Sequence, residues 1–170
     1  MSEPASGGAP DSAFDATRFR QVLGHFPTGV TVVTAATADG PVGLAVGSFT
    51  SVSLDPPLVA FCPGRHSTSW PKIRDAGAFC VNILAADQED TCAVFAGKSE
   101  DKFAGLRWRE ATASGAPILD GVVAWIDCRI DAVHEAGDHW IVVGEVLGLD
   151  VAREAPPMVF CLGGYGRFEP

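Results

Sequence analysis

The stretch that decides the fold is Gly43–Asn82, which reads GLAVGSFTSVSLDPPLVAFCPGRHSTSWPKIRDAGAFCVN. Two apolar, strand-like segments, Gly43–Ser53 and Leu58–Cys62, flank a turn at Asp55–Pro57. The second segment runs directly into the octet Pro63–Trp70, which holds a cation, an imidazole, three hydroxyls and an indole. We therefore predict that this polar octet is a loop whose conformation is fixed by the end of a sheet.

The octet Pro63–Trp70 allows two interpretations. Its hydroxyls, backbone amides and Arg65 suit a phosphate, and the neighbouring apolar strands offer a wall for a ring, which favours an anionic aromatic ligand. Alternatively, the octet is a polar turn that caps a helix at Trp70–Ala76, with Ser67 or Thr68 as the N-cap residue. The residues alone leave both interpretations open.

The bulk composition is that of one domain with little attraction for polyanions. The chain has 170 residues, 47% of them hydrophobic, and a formal net charge of −9. A chain of this length buries roughly 70% of the surface that its unfolded form exposes. The negative charge argues against nucleic acid or an anionic membrane as a partner. A local basic site such as Arg65 with Lys72 can still bind a phosphate.

The N-terminus and the cysteines indicate the compartment. Residues 1–13 contain neither a basic region nor an apolar region, so we expect a disordered tail, not a signal peptide, followed by one domain over residues 14–170. No apolar run reaches the length of a membrane span. The five cysteines are widely spaced and form no CxxC pair, which indicates buried free thiols and no metal site. We expect a protein of the reducing cytoplasm.

Strand-like segments dominate the rest of the chain. Further predicted strands are Val30–Thr37, Ala78–Leu84, Val122–Val133, Trp140–Val151 and Met158–Leu162, and predicted helices are Phe14–Phe26, Ser69–Ala76 and Asp87–Phe95. This order predicts a mainly antiparallel β-barrel, closed or nearly closed, with peripheral helices. Neither a GxGxxG turn nor a P-loop is present, which argues against a doubly wound parallel sheet.

One long predicted strand shows a two-residue alternation that predicts which face is buried. Polar or amphipathic side chains alternate with apolar ones, the first set being Trp125, Asp127, Arg129 and Asp131 and the second Ile126, Cys128 and Ile130. An antiparallel sheet with one solvated and one buried face produces this pattern. We therefore expect the first set to face solvent.

Six segments, in this order over Phe19–Phe168, resemble one known family. They are FRQVLGHFPTGVTVVTA, GSFTSVSLDPPLVAFCP, STSWPKIRDAGAFCVNIL, FAGKSEDKFAGLRW, GAPILDGVVAWIDCRIDAVHEAGDHWIVVGEV and GGYGRFEP. The chain thereby resembles the short-chain flavin reductases, the reductase components of two-component flavin monooxygenases. The likeness extends to reductases that are paired with aromatic-ring hydroxylases.

The resemblance implies a fold, an activity and partners. The expected fold is the mainly β, FMN-binding split barrel, antiparallel and Greek-key-like with peripheral helices, assembled as a homodimer. The expected activity is hydride transfer from NADH or NADPH to FMN or FAD, after which reduced flavin passes to a partner oxygenase. The competing hypothesis is a flavin carrier of the same fold without turnover. A carrier needs no nicotinamide surface, so the GDH and GYGRF motifs favour the reductase.

The resemblance also assigns flavin-binding residues, stretch by stretch. The backbone of the first stretch is expected to border the isoalloxazine ring: Val46, Gly47, Ser48 and Phe49. The octet is expected to meet the ring edge, the ribityl chain and the phosphate: Pro63, Gly64, Arg65, His66, Ser67, Thr68, Ser69 and Trp70. Gly97 and Phe103 lie where the family closes over the flavin. Many members have Asn at the position of Gly47, so only a backbone contact is expected there.

The last expected site is the nicotinamide side. It comprises His139 of the GDH motif, as the catalytic residue, and the GYGRF segment: Gly164, Tyr165, Gly166, Arg167 and Phe168. The imidazole of His139 is expected to orient the nicotinamide or to assist proton transfer. Judged without the resemblance, His139 is a solvent-exposed histidine of a hairpin turn.

Overall fold

Antiparallel strand pairing dominates the computed structural model, which describes residues 15–99 and 101–169. The helices are α1 Ala16–Leu23, α2 Trp70–Ala76 and α3 Glu89–Ala96. The strands are β1 Thr28–Gly29, β2 Thr31–Thr37, β3 Gly40–Val46, β4 Thr50–Leu54, β5 Pro57–Phe61, β6 Ala78–Ile83, β7 Trp108–Glu110, β8 Pro117–Leu119, β9 Ala124–Ala136, β10 His139–Val151, β11 Met158–Cys161 and β12 Gly164–Arg167. The prediction of a mainly β fold with few helices is confirmed. The predicted tail, residues 1–13, lies outside the described residues.

One seven-stranded sheet carries most of the molecule. Its strand order is β3-β2-β6-β9-β10-β5-β4, and a three-stranded sheet of order β1-β11-β12 and the pair β7-β8 complete the β structure of the described residues. Two clusters of buried apolar side chains lie against this sheet, one around Phe95 and one around Phe61 and Phe79. Among the described residues, no helix is long and apolar enough to cross a membrane.

The stretch Gly43–Ser53 is not one strand, which corrects the prediction. β3 ends at Val46 and β4 begins at Thr50. The Ser48 hydroxyl accepts a hydrogen bond from the Cys62 amide at 2.9 Å and lies 3.3 Å from the Cys62 carbonyl oxygen, so the linker is tied to the end of β5. The break therefore brings the linker beside the start of the octet.

The hairpin β9–β10 is tighter than predicted. Both strands extend for 13 residues, which leaves only Gly137 and Asp138 as the turn, with Gly137 at φ 63°. Glycine adopts this left-handed conformation without steric cost.

The predicted exposure of Asp127 is wrong, because this carboxylate is 1% exposed and accepts hydrogen bonds from the amides of Ala113 and Ser114.

The helix starts also differ from the predictions. α3 begins at Glu89, and Asp87 forms an ion pair with Arg153 instead of capping the helix. α2 begins after Ser69, whose side chain makes no capping bond. The Ser67 hydroxyl instead accepts a hydrogen bond from the Trp70 amide at 3.1 Å. The octet thus forms a polar turn before α2, but the N-cap residue is Ser69 and not Ser67 or Thr68. The strands β1, β7, β8 and β12 were not among the predicted elements.

Gly144 is required in β10 because the Phe79 ring lies against its backbone. A Cβ atom at residue 144 would lie 2.5 Å from Cζ of Phe79, which is fully buried. We expect Gly144→Ala to lower the free energy of unfolding by about 1–3 kcal/mol, because the core must shift to admit the methyl group. Urea denaturation measures this loss.

The matched control is Gly148→Ala on the same strand. A Cβ atom at residue 148 would lie 3.7 Å from the Trp125 ring, which is an ordinary contact. We expect this control to change the unfolding free energy by less than about 1 kcal/mol. Equal losses in Gly144→Ala and Gly148→Ala would show that the close approach of Phe79 has no special cost.

Candidate functional site

Three adjoining cavities follow β3 from its C-terminal to its N-terminal end, and we call them together the β3 groove. The Gly47 cavity, of about 190 Å³, lies at the C-terminal end of the strand. The Ser67 cavity, of about 450 Å³, shares Ala45 and Ala96 with it. The lysine cavity, of about 120 Å³, lies at the N-terminal end and shares Thr68 and Ser69 with the Ser67 cavity. The groove is therefore continuous.

The Gly47 cavity has mainly apolar walls. It is lined by Val46 and Gly47 from the predicted first stretch and by residues of β1, α3 and the C-terminal strands, including Thr28, Cys92 and Tyr165. A Cβ atom at residue 47 would lie 3.0 Å from Oγ1 of Thr28, so a larger residue here would require Thr28 to move. The missing side chain keeps the backbone of Gly47 open to a flat ligand.

Tyr165 forms one wall of the Gly47 cavity and is held by α3. Its hydroxyl lies 3.4 Å from the Cys92 sulfur. The contact with Cys92, followed by burial, raises the pKa of Tyr165 to about 12. The phenol therefore remains neutral near pH 7 and can donate a hydrogen bond.

The Ser67 cavity gathers hydroxyls and cations. His66, Ser67, Thr68 and Ser69 line one side of it, and the other side is the end of α3 with Gly97, Lys98 and Lys102. The structure thus brings part of the octet together with Gly97 and connects both to Val46 and Gly47. Hydroxyls facing ammonium groups suit an anionic ligand.

The lysine cavity contains every lysine of the chain. Lys72, Lys98 and Lys102 all line it, together with Phe103 from the expected closing segment. Lys102 is only 9% exposed, and its ammonium donates hydrogen bonds to the carbonyl oxygens of Phe95, at 2.9 Å, and Gly43, at 3.4 Å. Burial lowers the pKa of this ammonium. The sequence signal for Lys98 and Lys102 was their rarity in an acidic chain.

Arg65 and Trp70 lie outside the groove. The Arg65 guanidinium forms an ion pair with Glu135 at 3.1 Å and stacks on the Trp140 ring at 4.6 Å. These contacts turn Arg65 toward the β9–β10 hairpin, and its predicted phosphate contact gains no support from this geometry. Trp70 is 2% exposed and packs edge-on against Phe61, with 5.9 Å between the ring centroids.

Ser48 and Phe49 lie near the groove without lining its cavities. The Ser48 hydroxyl is taken up by the backbone of Cys62, as described above. Phe49 packs on the core cluster around Phe61. Their expected backbone contacts to a ring remain predictions. Pro63, the first residue of the octet, is buried and accepts a hydrogen bond from the Trp140 amide at 3.0 Å.

His139 lies at the tip of the β9–β10 hairpin, directly beside the octet. It forms a β-bridge with Gly64, where a Cβ atom would lie 3.6 Å from Nε2 of His139. Its Nδ1 lies 2.7 Å from Oδ1 of Asp138, and this contact lowers the pKa of the Asp138 carboxyl. Asp138 thus orients the half-exposed ring through Nδ1, and Nε2 lies beside Gly64.

The GYGRF segment lines two cavities that His139 does not line. Gly164 begins β12. Tyr165 lines both the Gly47 cavity and a second cavity of about 340 Å³, and Gly166 and Arg167 line the second one. Phe168 is 59% exposed. No contact recorded between described residues joins this segment to His139, so a shared nicotinamide surface remains a prediction.

The described residues contain no cluster of His, Cys, Asp or Glu that could hold a metal ion. All five cysteines are free, with Cys80, Cys92 and Cys128 buried. Burial, followed by the charge of Asp127, raises the pKa of Cys128 to about 12. Burial also raises the pKa of Cys80, so the Cys80 and Cys128 thiols are unreactive parts of the core.

Comparison with known proteins gives one consistent result. The model of the flavin reductase like domain matches residues 23–169. A flavin reductase from Pseudomonas putida is 58% identical, over 92% of this chain and 92% of its own length. The reductase subunit HsaB of a flavin-dependent monooxygenase from Rhodococcus jostii (strain RHA1) is 48% identical, over 100% of this chain and 87% of its own length.

A solved structure extends the likeness to three dimensions. The Streptomyces globisporus C-1027 NADH:FAD oxidoreductase SgcE6, in complex with NAD and FAD fragments, superposes with a TM-score of 0.85 and 42% sequence identity. The superposition covers 92% of this chain and 94% of that chain.

Proposed function

The chain belongs to the flavin reductase like family, and from this premise we propose that it is an NAD(P)H-dependent flavin reductase that supplies free reduced flavin to a partner monooxygenase. Its relatives include reductase subunits of flavin-dependent monooxygenases, an FMN reductase (NADH) and an NADH-dependent FAD reductase. The resemblance in the sequence further favours an aromatic-ring hydroxylase as the partner.

The β3 groove is the observation that carries this proposal. Its order of surfaces, apolar at Gly47, hydroxyl-rich at Ser67 and cationic at Lys102, matches the order of ring, polyol and phosphate in a flavin. The residues present therefore fit the cofactor. Bound flavin supplies the hydride acceptor, and the nicotinamide dinucleotide supplies the hydride.

The protein's own side chains and backbone groups bind the flavin and orient the nicotinamide. The backbone at Gly47 borders the ring, the Ser67 and Thr68 hydroxyls and the Lys102 ammonium hold the phosphate, and the Tyr165 phenol closes the apolar end. His139, steadied by Asp138, orients the nicotinamide.

We further propose the split-barrel fold, a homodimer and a cytoplasmic location. The order of the seven-stranded sheet fits the split barrel. Exposed apolar side chains support a second copy, because Leu54 is 95% exposed and Phe26 is 72% exposed. Five free thiols fit a reducing compartment.

A steady-state assay tests the function. We expect the protein to oxidise NADH only when FMN or FAD is added, and to reduce a large molar excess of flavin under anaerobic conditions, because reduced flavin leaves after each turnover. Tight flavin binding without flavin-dependent NADH oxidation would establish the carrier hypothesis and reject the reductase. Parallel assays with NADPH identify the preferred dinucleotide.

A further inference from the structure

We propose that Arg65 is a positioning residue for hydride transfer, which holds the tip of the β9–β10 hairpin, and with it His139, in a fixed place beside the β3 groove. This proposal rests on the proposed function and gives Arg65 a role other than the phosphate contact that its sequence context predicts. Since Arg65 acts through the hairpin, the conformation of the tip is a test that needs no turnover.

The tip of the hairpin, residues 131–141, receives little support from the sheet or from the core. The pairing of β9 with β6 ends at Arg129, and the pairing of β10 with β5 begins only at Val142. No residue of the tip is buried. A two-stranded ribbon alone is at best marginally stable in water, so the position of the tip depends on further contacts.

The start of the octet supplies some of these contacts as a third strand beside β10. The Trp140 amide donates a hydrogen bond to the Pro63 carbonyl oxygen at 3.0 Å. The Arg65 amide donates one to the Asp138 carbonyl oxygen at 2.9 Å. The β-bridge of His139 lies between these two hydrogen bonds. The start of the octet thereby continues the antiparallel pairing of β5 with β10 as far as the turn.

The Arg65 side chain extends across both strands of the tip. Trp140 and Glu135 lie opposite each other, on β10 and β9. The guanidinium lies 4.6 Å from the centroid of the Trp140 ring, and one of its nitrogens lies 3.1 Å from a carboxylate oxygen of Glu135. A planar cation can stack on a ring and pair with a carboxylate at the same time. Arg65 therefore joins the octet, β10 and β9 in one set of contacts.

Arg65 also lies where the two parts of the candidate site meet. Residues 66–69, directly after it, line the Ser67 cavity, where the polyol and phosphate of the flavin are expected. His139 lies beside Gly64, directly before it. A displaced tip would move His139 relative to bound flavin. Because hydride transfer depends on the alignment of the two rings, such a displacement lowers its rate.

The decisive variant is Arg65→Met, tested alone and together with His139→Ala. We expect Arg65→Met to lower the rate of anaerobic flavin reduction by NADH about tenfold, and to change flavin affinity by less than about twofold. In the His139→Ala background the same substitution should lower the rate by less than about twofold, because the group that Arg65 positions is already absent. Arg65→Lys should restore part of the rate, since an ammonium also pairs with Glu135 and stacks on Trp140.

Arg129→Met is the matched control. Arg129 forms an ion pair with Glu145 on the same two strands, away from the tip, and lines none of the groove cavities. We expect this control to leave flavin reduction unchanged. Hydrogen exchange at the amides of residues 65 and 140 should become faster in Arg65→Met and stay unchanged in Arg129→Met, because only the first substitution loosens the tip.

Glu135→Gln keeps the proposal testable if Arg65→Met does not fold. The Glu135 side chain is 71% exposed, and its replacement removes only the ion pair, so we expect faster exchange at the tip and slower flavin reduction. Wild-type exchange and rates in either variant, or equal rate losses with and without His139, would overturn the proposal. A tenfold loss of flavin affinity in Arg65→Met, at an unchanged rate, would assign Arg65 to the phosphate. A wild-type protein without flavin-dependent NADH oxidation would instead reject the proposed function itself.

Discussion

Replacing His139 by alanine should lower kcat/KM for NADH-dependent flavin reduction by about ten- to a thousandfold, while flavin affinity stays nearly unchanged. Asp138 contacts Nδ1 of His139 at 2.7 Å and fixes the ring. The ring edge bearing Nε2 lies beside Gly64 of the octet, and the octet residues from His66 to Ser69 line the Ser67 cavity. A ring held in this way can align a nicotinamide with the flavin, and lost alignment lowers the rate of hydride transfer.

His134→Ala is the matched control for this prediction. His134 lies on the same hairpin, paired with Ile141, is exposed and lines none of the groove cavities. Stopped-flow measurement of anaerobic flavin reduction should show wild-type rates in His134→Ala and slow rates in His139→Ala. Wild-type turnover in His139→Ala would identify His139 as a solvent-exposed turn residue and leave the nicotinamide side unassigned.

Local sequence patterns were sufficient for most strands of this fold. Apolar runs such as Val30–Thr37 and Ala78–Leu84 are buried over most of their length, so their composition alone indicates strands. The break at Gly47 was not predictable, because it depends on the Ser48 hydroxyl reaching the backbone of Cys62, 14 residues away. Asp127 was misjudged for the same reason, since the amides that bind its carboxylate come from a distant loop.

The candidate site shows the same division between local and distant causes. The hydroxyls of Ser67, Thr68 and Ser69 lie in the groove because consecutive residues enter α2 there. The positions of the charged side chains around the groove could not be deduced from such local patterns. Arg65 is drawn to Glu135 and Trp140 on a hairpin some 70 residues later, and Lys98 and Lys102 reach the groove from the far end of α3. Sequence alone therefore indicated the hydroxyls of the groove but not the lysines that line it, and the phosphate contact of Arg65 remains a prediction.

We expect Asn82→Ala to lower the free energy of unfolding by about 3–5 kcal/mol, because it breaks a buried polar network. Asn82 is fully buried in β6. Its amide nitrogen donates to the carbonyl oxygens of Pro117, at 3.1 Å, and Val32, at 3.2 Å, and its oxygen accepts from the Leu119 amide at 2.8 Å. One side chain thereby joins β2, β6 and β8, and its removal leaves the Leu119 amide without this partner inside the core.

The hydrogen-bond network of Asn82 also supports the β3 groove. We therefore expect Asn82→Ala to weaken flavin binding as well as to lower the free energy of unfolding. β8 pairs with β7, whose first residue, Trp108, packs against Phe103 with 6.1 Å between the ring centroids, and Phe103 lines the lysine cavity. Gln88→Ala is the matched control, because its half-buried amide also bonds two backbone groups, at Ala85 and Asp120, but lies near solvent. We expect a loss of only about 1 kcal/mol there, since water can replace the partners. Similar unfolding midpoints in urea for Asn82→Ala and Gln88→Ala would contradict the view that burial makes the Asn82 hydrogen bonds contribute more to stability than those of Gln88.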